Sequence, residues 1–137
     1  MIREICKDTA LLRLKAEPAA EDDLALARDL MDTLLAHSGE CVGMAANMIG
    51  AAKAIIAVNT GKLQLLMLNP RIEKHFLPYD TEEGCLSLEE GRHPCVRYKT
   101  IEVTYQDERM RMKRGKYTGF AAEIIQHECD HLEGILI

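Results

Sequence analysis

Toward its C-terminal end the chain reads Gln126-His127-Glu128-Cys129-Asp130-His131-Leu132-Glu133-Gly134, and the His-Glu-x-x-His inside this stretch constrains the fold more than any other feature. Two imidazoles four residues apart reach one metal ion only when the backbone between them is helical, because such positions stack on one face, a turn apart. A helix is therefore expected from about Thr118, a good N-cap, to Leu132, with Gly134 placed to end it. Phe120 and Ile124 continue the row of His127 and His131, so the histidines emerge from the apolar side. Glu128 lies roughly 100° round the helix from His127. That offset sets it beside an ion without ligating it, as suits a base acting on metal-activated water. A buried helix can also hold two hydrogen-bonded histidines and no ion, so the motif alone is incomplete.

A hydrolytic zinc or iron(II) site takes a third protein ligand and leaves a position for water. The sequence runs only to Ile137, so that ligand is expected upstream. His37, His75, His93, the carboxylates and the five cysteines all qualify by chemistry, and spacing does not choose among them.

At 137 residues and 47% hydrophobic content, one globular domain over 1–137 is expected. A net charge of −5 argues against direct nucleic-acid binding. The basic run Arg109–Lys116 alternates with Met and reads as a strand with one solvated face. The first fifteen residues carry scattered charges unlike a signal peptide, and no apolar run approaches the roughly 18 residues of a membrane span. Five cysteines in no disulfide framework point to the cytoplasm, where a thiolate can ligate metal.

Apolar residues Leu24, Ala27, Leu30, Met31, Leu34 and Leu35 recur at helical spacing between Pro18 and Gly39, which predicts a helix over about 21–38. "GECVGMAANMIG" is too rich in small residues for a regular strand and reads as a closely packed loop. "KAIIAVN" and "KLQLLMLNP" read as buried strands about Thr60-Gly61, followed by an irregular stretch through Pro78. "VRYKTIEVTYQ" and "RMRMKRGKY" read as antiparallel strands about Asp107-Glu108. The expected architecture is α+β: small antiparallel sheets packed around the His-Glu-x-x-His helix, with an N-terminal helix.

Three separated stretches, "CVGMAANMIG", "EGCLSL" and "QHECDHLEG", resemble the three motifs of the peptide deformylases in that family's order, and "IREI" resembles its opening segment. The resemblance covers essentially the whole chain. It implies a peptide-deformylase-like fold and assigns Cys85 as the third ligand beside His127 and His131. It also implies removal of the formyl group from the N-terminal formylmethionine of nascent polypeptides, near the ribosome. Glu128 would carry the proton, first as base and then as acid. The Leu86 backbone N–H would help stabilise the developing oxyanion. Val42 and Gly43 match the segment that pairs with substrate, Arg92 matches a position near the entrance, and Glu83 and Arg97 are candidates for a supporting ion pair. The family's ion in cells is usually Fe2+, which Zn2+, Ni2+ or Co2+ can replace, and a thiolate beside iron(II) should make activity air-sensitive. Cys6, Cys41, Cys95 and Cys129 have no such support and read as small core residues.

The first motif of the family is Gly-x-Gly-x-Ala-Ala-x-Gln-x-Gly, whereas this chain has Cys41 for the first glycine and Met48 for the glutamine. That glutamine supplies an amide donor to the oxyanion, and a thioether has no proton to give. Asn47 or a water would have to take over. Two alternatives follow: hydrolysis of a different N-acyl group, or a metal-holding module that binds without turnover. Glu89-Glu90 also stand where a proline often follows in the family.

Overall fold

The computed structural model describes residues 1–87 and 91–136. The Glu89-Glu90 departure lies outside the described residues, as does Leu88 of the second motif. In chain order the elements are α1 (Thr9–Leu12), α2 (Leu24–Ala36), β1 (Gly43–Ala45), β2 (Ile55–Asn59), β3 (Gln64–Glu83), β4 (His93–Gln106), β5 (Met112–Thr118) and α3 (Gly119–Leu132). The α+β expectation holds, and the strands join into one five-stranded antiparallel sheet in the order β1-β2-β3-β4-β5.

The apolar run of β2 follows from burial on both faces. Ile55 and Ala57 join Leu30 and Leu34 of α2 in one core cluster, whereas Ile56 and Val58 join Ile124 and Ile125 of α3 in the other. Successive strand side chains point to opposite faces, so α2 and α3 cover opposite sides of the same strand. The helix expected over 21–38 begins with a 3-10 turn, Glu21–Asp23, and is α-helical over Leu24–Ala36.

Two local readings need correction. The small-residue segment is not simply a loop: Gly43–Ala45 pairs antiparallel with β2, and Ala46–Ile49 closes into a 3-10 turn. Small side chains let this short strand fit between the two cores. The stretch through Pro78 is not irregular either, because β3 continues to Glu83. Its middle is exposed on both faces, and its pairing with β4 slips between Leu68 and Arg71 and again between Ile72 and Lys74. Without a buried face and with shifts in register, no alternation marks it as a strand. Among the described residues no helix is long and apolar enough to cross a membrane.

Candidate metal centre

Three local devices fix the position of α3. Its C-terminus closes as a Schellman motif: Gly134 N–H donates to the His131 carbonyl at 3.0 Å and Ile135 N–H to the Asp130 carbonyl at 3.0 Å. Thr118 occupies the N-cap position as expected, without a side-chain cap bond. Gln126 then fastens the helix to β4. Its Oε1 accepts from Tyr98 N–H at 2.8 Å, and its Nε2 donates to the Tyr98 carbonyl at 2.8 Å. The amide takes the part of a neighbouring strand beyond the stretch that β5 pairs, which begins at Thr100. Finally, β1 packs hard against α3 at Gly43, where a Cβ would stand 2.5 Å from Ile124 Cγ2 and 2.9 Å from Glu128 Oε2. Only glycine allows that approach.

On this scaffold Cys85, His127 and His131 each present a ligand atom, all within 4.8 Å of one another. The two Nε2 atoms face each other at 3.1 Å. Ligand nitrogens at about 2.0–2.1 Å on a tetrahedral ion would stand roughly 3.3 Å apart, so the rings are already close to ligating separation. His131 is fully buried and His127 nearly so.

The orientation of His127 is set from behind. Its Nδ1 lies 2.7 Å from Glu83 Oε1. Glu83 in turn receives Arg97 Nη2 at 2.7 Å and Nε at 3.0 Å, and Arg97 Nη1 donates to Asp130 Oδ2 at 2.7 Å. A proton on Nδ1 shared with Glu83 leaves Nε2 free as the ligating lone pair. Burial works to raise the Glu83 pKa, but hydrogen bonds from His127 and Arg97 overcome it and hold the carboxyl well below the usual range. Burial works to lower the His127 pKa, yet contacts with Cys85 and Glu83 push it up to about 10. The local field thus favours a positive charge between the rings and the sulfur, which is what a divalent cation supplies. The Glu83–Arg97 pair was in the sequence reading; its contact with His127 and the Asp130 and Gln126 links were not. Each joins residues 28 or more apart in the chain, and no local pattern signals such pairs.

Glu128 lies beside this group, buried, with Oε1 lacking a hydrogen-bond partner. Burial pushes its carboxyl up to about 7, poised to exchange a proton near neutral pH. An orphaned carboxylate oxygen next to three converging ligand atoms fits a metal centre with a proton carrier. A cavity of about 400 Å³ opens onto the site, and Val42, Gly43, Met48, Cys85, Leu86, Arg92, His127 and Glu128 line it, whereas His131 and Arg97 do not. Val42 and Gly43 line one side. The Val42 carbonyl accepts from Asn59 N–H at 2.8 Å, and β1 is the edge strand of the sheet. Arg92 is at the rim, its guanidinium on the Glu82 carbonyl. Phe120, expected in the buried row, is 57% exposed and forms part of the cavity wall.

Met48 lines the cavity too, on the rigid 3-10 turn, with Sδ 3.8 Å from Cys85 Sγ. Asn47 cannot take over as donor in this arrangement. Its side chain points away, with Nδ2 donating to the His131 carbonyl at 3.0 Å and lying 3.5 Å from that of Leu12. Cys41 is half-buried against the α2 core, as its reading as a core residue expects, and also lines the cavity, donating its thiol to the Gly43 carbonyl at 2.8 Å.

A family profile described as Polypeptide deformylase matches residues 2–137. A protein named peptide deformylase from Clostridium beijerinckii is 50% identical over 137 residues, covering 100% of each chain. Among solved structures, a class I type b peptide deformylase from Acinetobacter baumannii with K1U bound matches at TM-score 0.90 and 30% identity, over 99% of this chain and 97% of that one. The Met-Ala-Ser-bound structure of a class I type b peptide deformylase from the same organism matches at TM-score 0.87 and 30% identity, over 99% and 96%.

Proposed function

This chain belongs to the peptide deformylase family, and from that premise we propose that it removes the formyl group from the N-terminal formylmethionine of newly made polypeptides, releasing formate. The observation that carries the reading is the convergence of Cys85, His127 and His131 beside the orphaned Glu128 oxygen. Those three residues would hold one divalent ion, Fe2+ in the cell by the family resemblance, with Zn2+, Ni2+ or Co2+ able to replace it. When bound, the ion supplies the charge that makes water a nucleophile near neutral pH and polarises the formyl oxygen.

The protein's own groups do the rest. The edge of β1 at Val42 and Gly43 pairs with the substrate backbone as an added strand, and Arg92 guides it at the rim. Glu128 takes the proton of the attacking water as its oxygen bonds to the formyl carbon. The Leu86 N–H stabilises the negative charge that develops on the formyl oxygen. Glu128 then gives the proton to the amine nitrogen as the C–N bond breaks, leaving formate and a free N-terminus. Glu83 and Arg97 keep His127 in the ligating tautomer throughout. The reaction takes place in the cytoplasm on chains emerging from the ribosome.

Met48 in place of an amide donor lowers the rate. Losing one such donor costs about 2.7–4 kcal/mol, or roughly 10²–10³, and Asn47 is committed elsewhere. Met48→Gln should therefore raise formate release by at least ~10-fold. Met48 and Cys41, both on the cavity wall, are also what favours a second reading, hydrolysis of another N-acyl group. A panel of formyl-, acetyl- and propionyl-Met-Ala-Ser, assayed anaerobically with iron(II)-loaded protein, decides between them. The formyl peptide should be cleaved fastest; a faster acetyl or propionyl peptide would overturn the assignment in favour of the second reading.

A further inference from the structure

Two sulfurs bound to one tetrahedral ion at about 2.3 Å each stand about 3.8 Å apart. Cys85 Sγ and Met48 Sδ are separated by 3.8 Å. The Cys85 thiol points at the thioether, so the two sulfurs already face each other across the cavity wall. Met48 is 1% exposed, and its backbone turn is tied by the bond from Cys6 N–H to the Met48 carbonyl at 2.7 Å.

We propose that Met48 Sδ is a fourth protein ligand to the ion held by Cys85, His127 and His131, closing in the resting protein the position that hydrolytic sites keep for water. This rests on the metal centre described above and adds to it. A Cys-His-His-Met set is softer than Cys-His-His, so the site takes thiophilic ions such as zinc, cadmium or copper(I) more readily than hard oxygen-seeking ones. The thioether is the weakest of the four donors and is the one displaced when substrate enters. Cys41 is the other sulfur on the cavity wall, but its thiol is turned to the Gly43 carbonyl.

Zinc X-ray absorption on the loaded protein tests this by counting sulfur neighbours. The expected result is two sulfurs in the unsubstituted protein and in Cys41→Ser, and one in Met48→Leu, a replacement of nearly equal volume. One sulfur in the unsubstituted protein overturns the proposal and leaves the three-ligand site intact. A second sulfur lost in Cys41→Ser and kept in Met48→Leu overturns it as well. No sulfur at all removes Cys85 from the site and takes down both readings together. Cadmium-against-zinc competition gives an independent reading: the preference for cadmium should fall in Met48→Leu, and an unchanged ratio counts against ligation.

Discussion

The Glu83 carboxylate sits between the His127 Nδ1 and the Arg97 guanidinium, 2.7 Å from each. Both bonds fall on Oε1, Arg97 Nε reaches both oxygens at 3.0 Å, and together these hydrogen bonds keep the carboxyl ionised. Replacing it with Gln leaves one acceptor oxygen but turns an NH2 toward a neighbour that is itself a donor. We expect Glu83→Gln to weaken zinc affinity by roughly 10–100-fold, as loss of such supporting groups does, read by competition with a chromogenic chelator. Unchanged affinity would show that His127 holds its orientation without help. His127, His131 and Glu128 were legible in the sequence because a helix makes their relation local. Cys85 was not, since it stands 42 positions before His127 in the chain; it was found through motif resemblance, and the fold is what brings it to the rings. Glu83 lay further out of reach, because a carboxylate behind an imidazole leaves no pattern in the chain.

Among the elements, β1 and the β4–β5 hairpin are tuned by single residues. Gly43→Ala would drive a Cβ into Ile124 and Glu128, and such overpacking costs about 1–3 kcal/mol. Because the clash falls on the substrate edge and on Glu128, we expect formate release to fall further than the drop in melting temperature accounts for. A matched loss of both would mean the edge strand has no catalytic role. At the hairpin, Asp107 Oδ1 accepts from Arg109 N–H at 2.8 Å and from Arg111 N–H at 3.0 Å, while Oδ2 accepts from Arg111 Nε at 3.1 Å. The bond from Arg111 N–H leads in lowering the Asp107 pKa below its ordinary 3.8. A depressed carboxylate stabilises the fold above its unfolded pKa, and that contribution disappears as pH falls through the folded value. Asp107→Ala should thus melt lower than the unsubstituted protein at pH 7, with the gap closing below pH 3.8; a gap independent of pH would assign the effect to packing instead. The hairpin was readable from its alternation and turn. The start of β3 was readable too, but its continuation past Pro70 was not, because Pro70 and Pro78 stand in it and much of it has no buried face.

Across the whole molecule, one strand carries both halves of the design. β2 is covered by α2 on one face and α3 on the other, so the helix bearing the histidines is seated on the same strand that pairs with the edge strand β1. Cys85 arrives just past the end of β3, whose last residue is Glu83. The sheet therefore sets Glu128, the three proposed ligands and the β1 edge in one frame, and the likeness to known deformylases spans the whole chain and not just three motifs. The most direct test is formate release from formyl-Met-Ala-Ser under anaerobic iron(II) loading, comparing unsubstituted protein with Glu128→Ala at matched metal content. Our account predicts one equivalent of iron in both, formate from the unsubstituted protein, and a loss of roughly 10²-fold or more in the variant. Equal release from the two proteins, or none from the unsubstituted protein with iron bound, would contradict it.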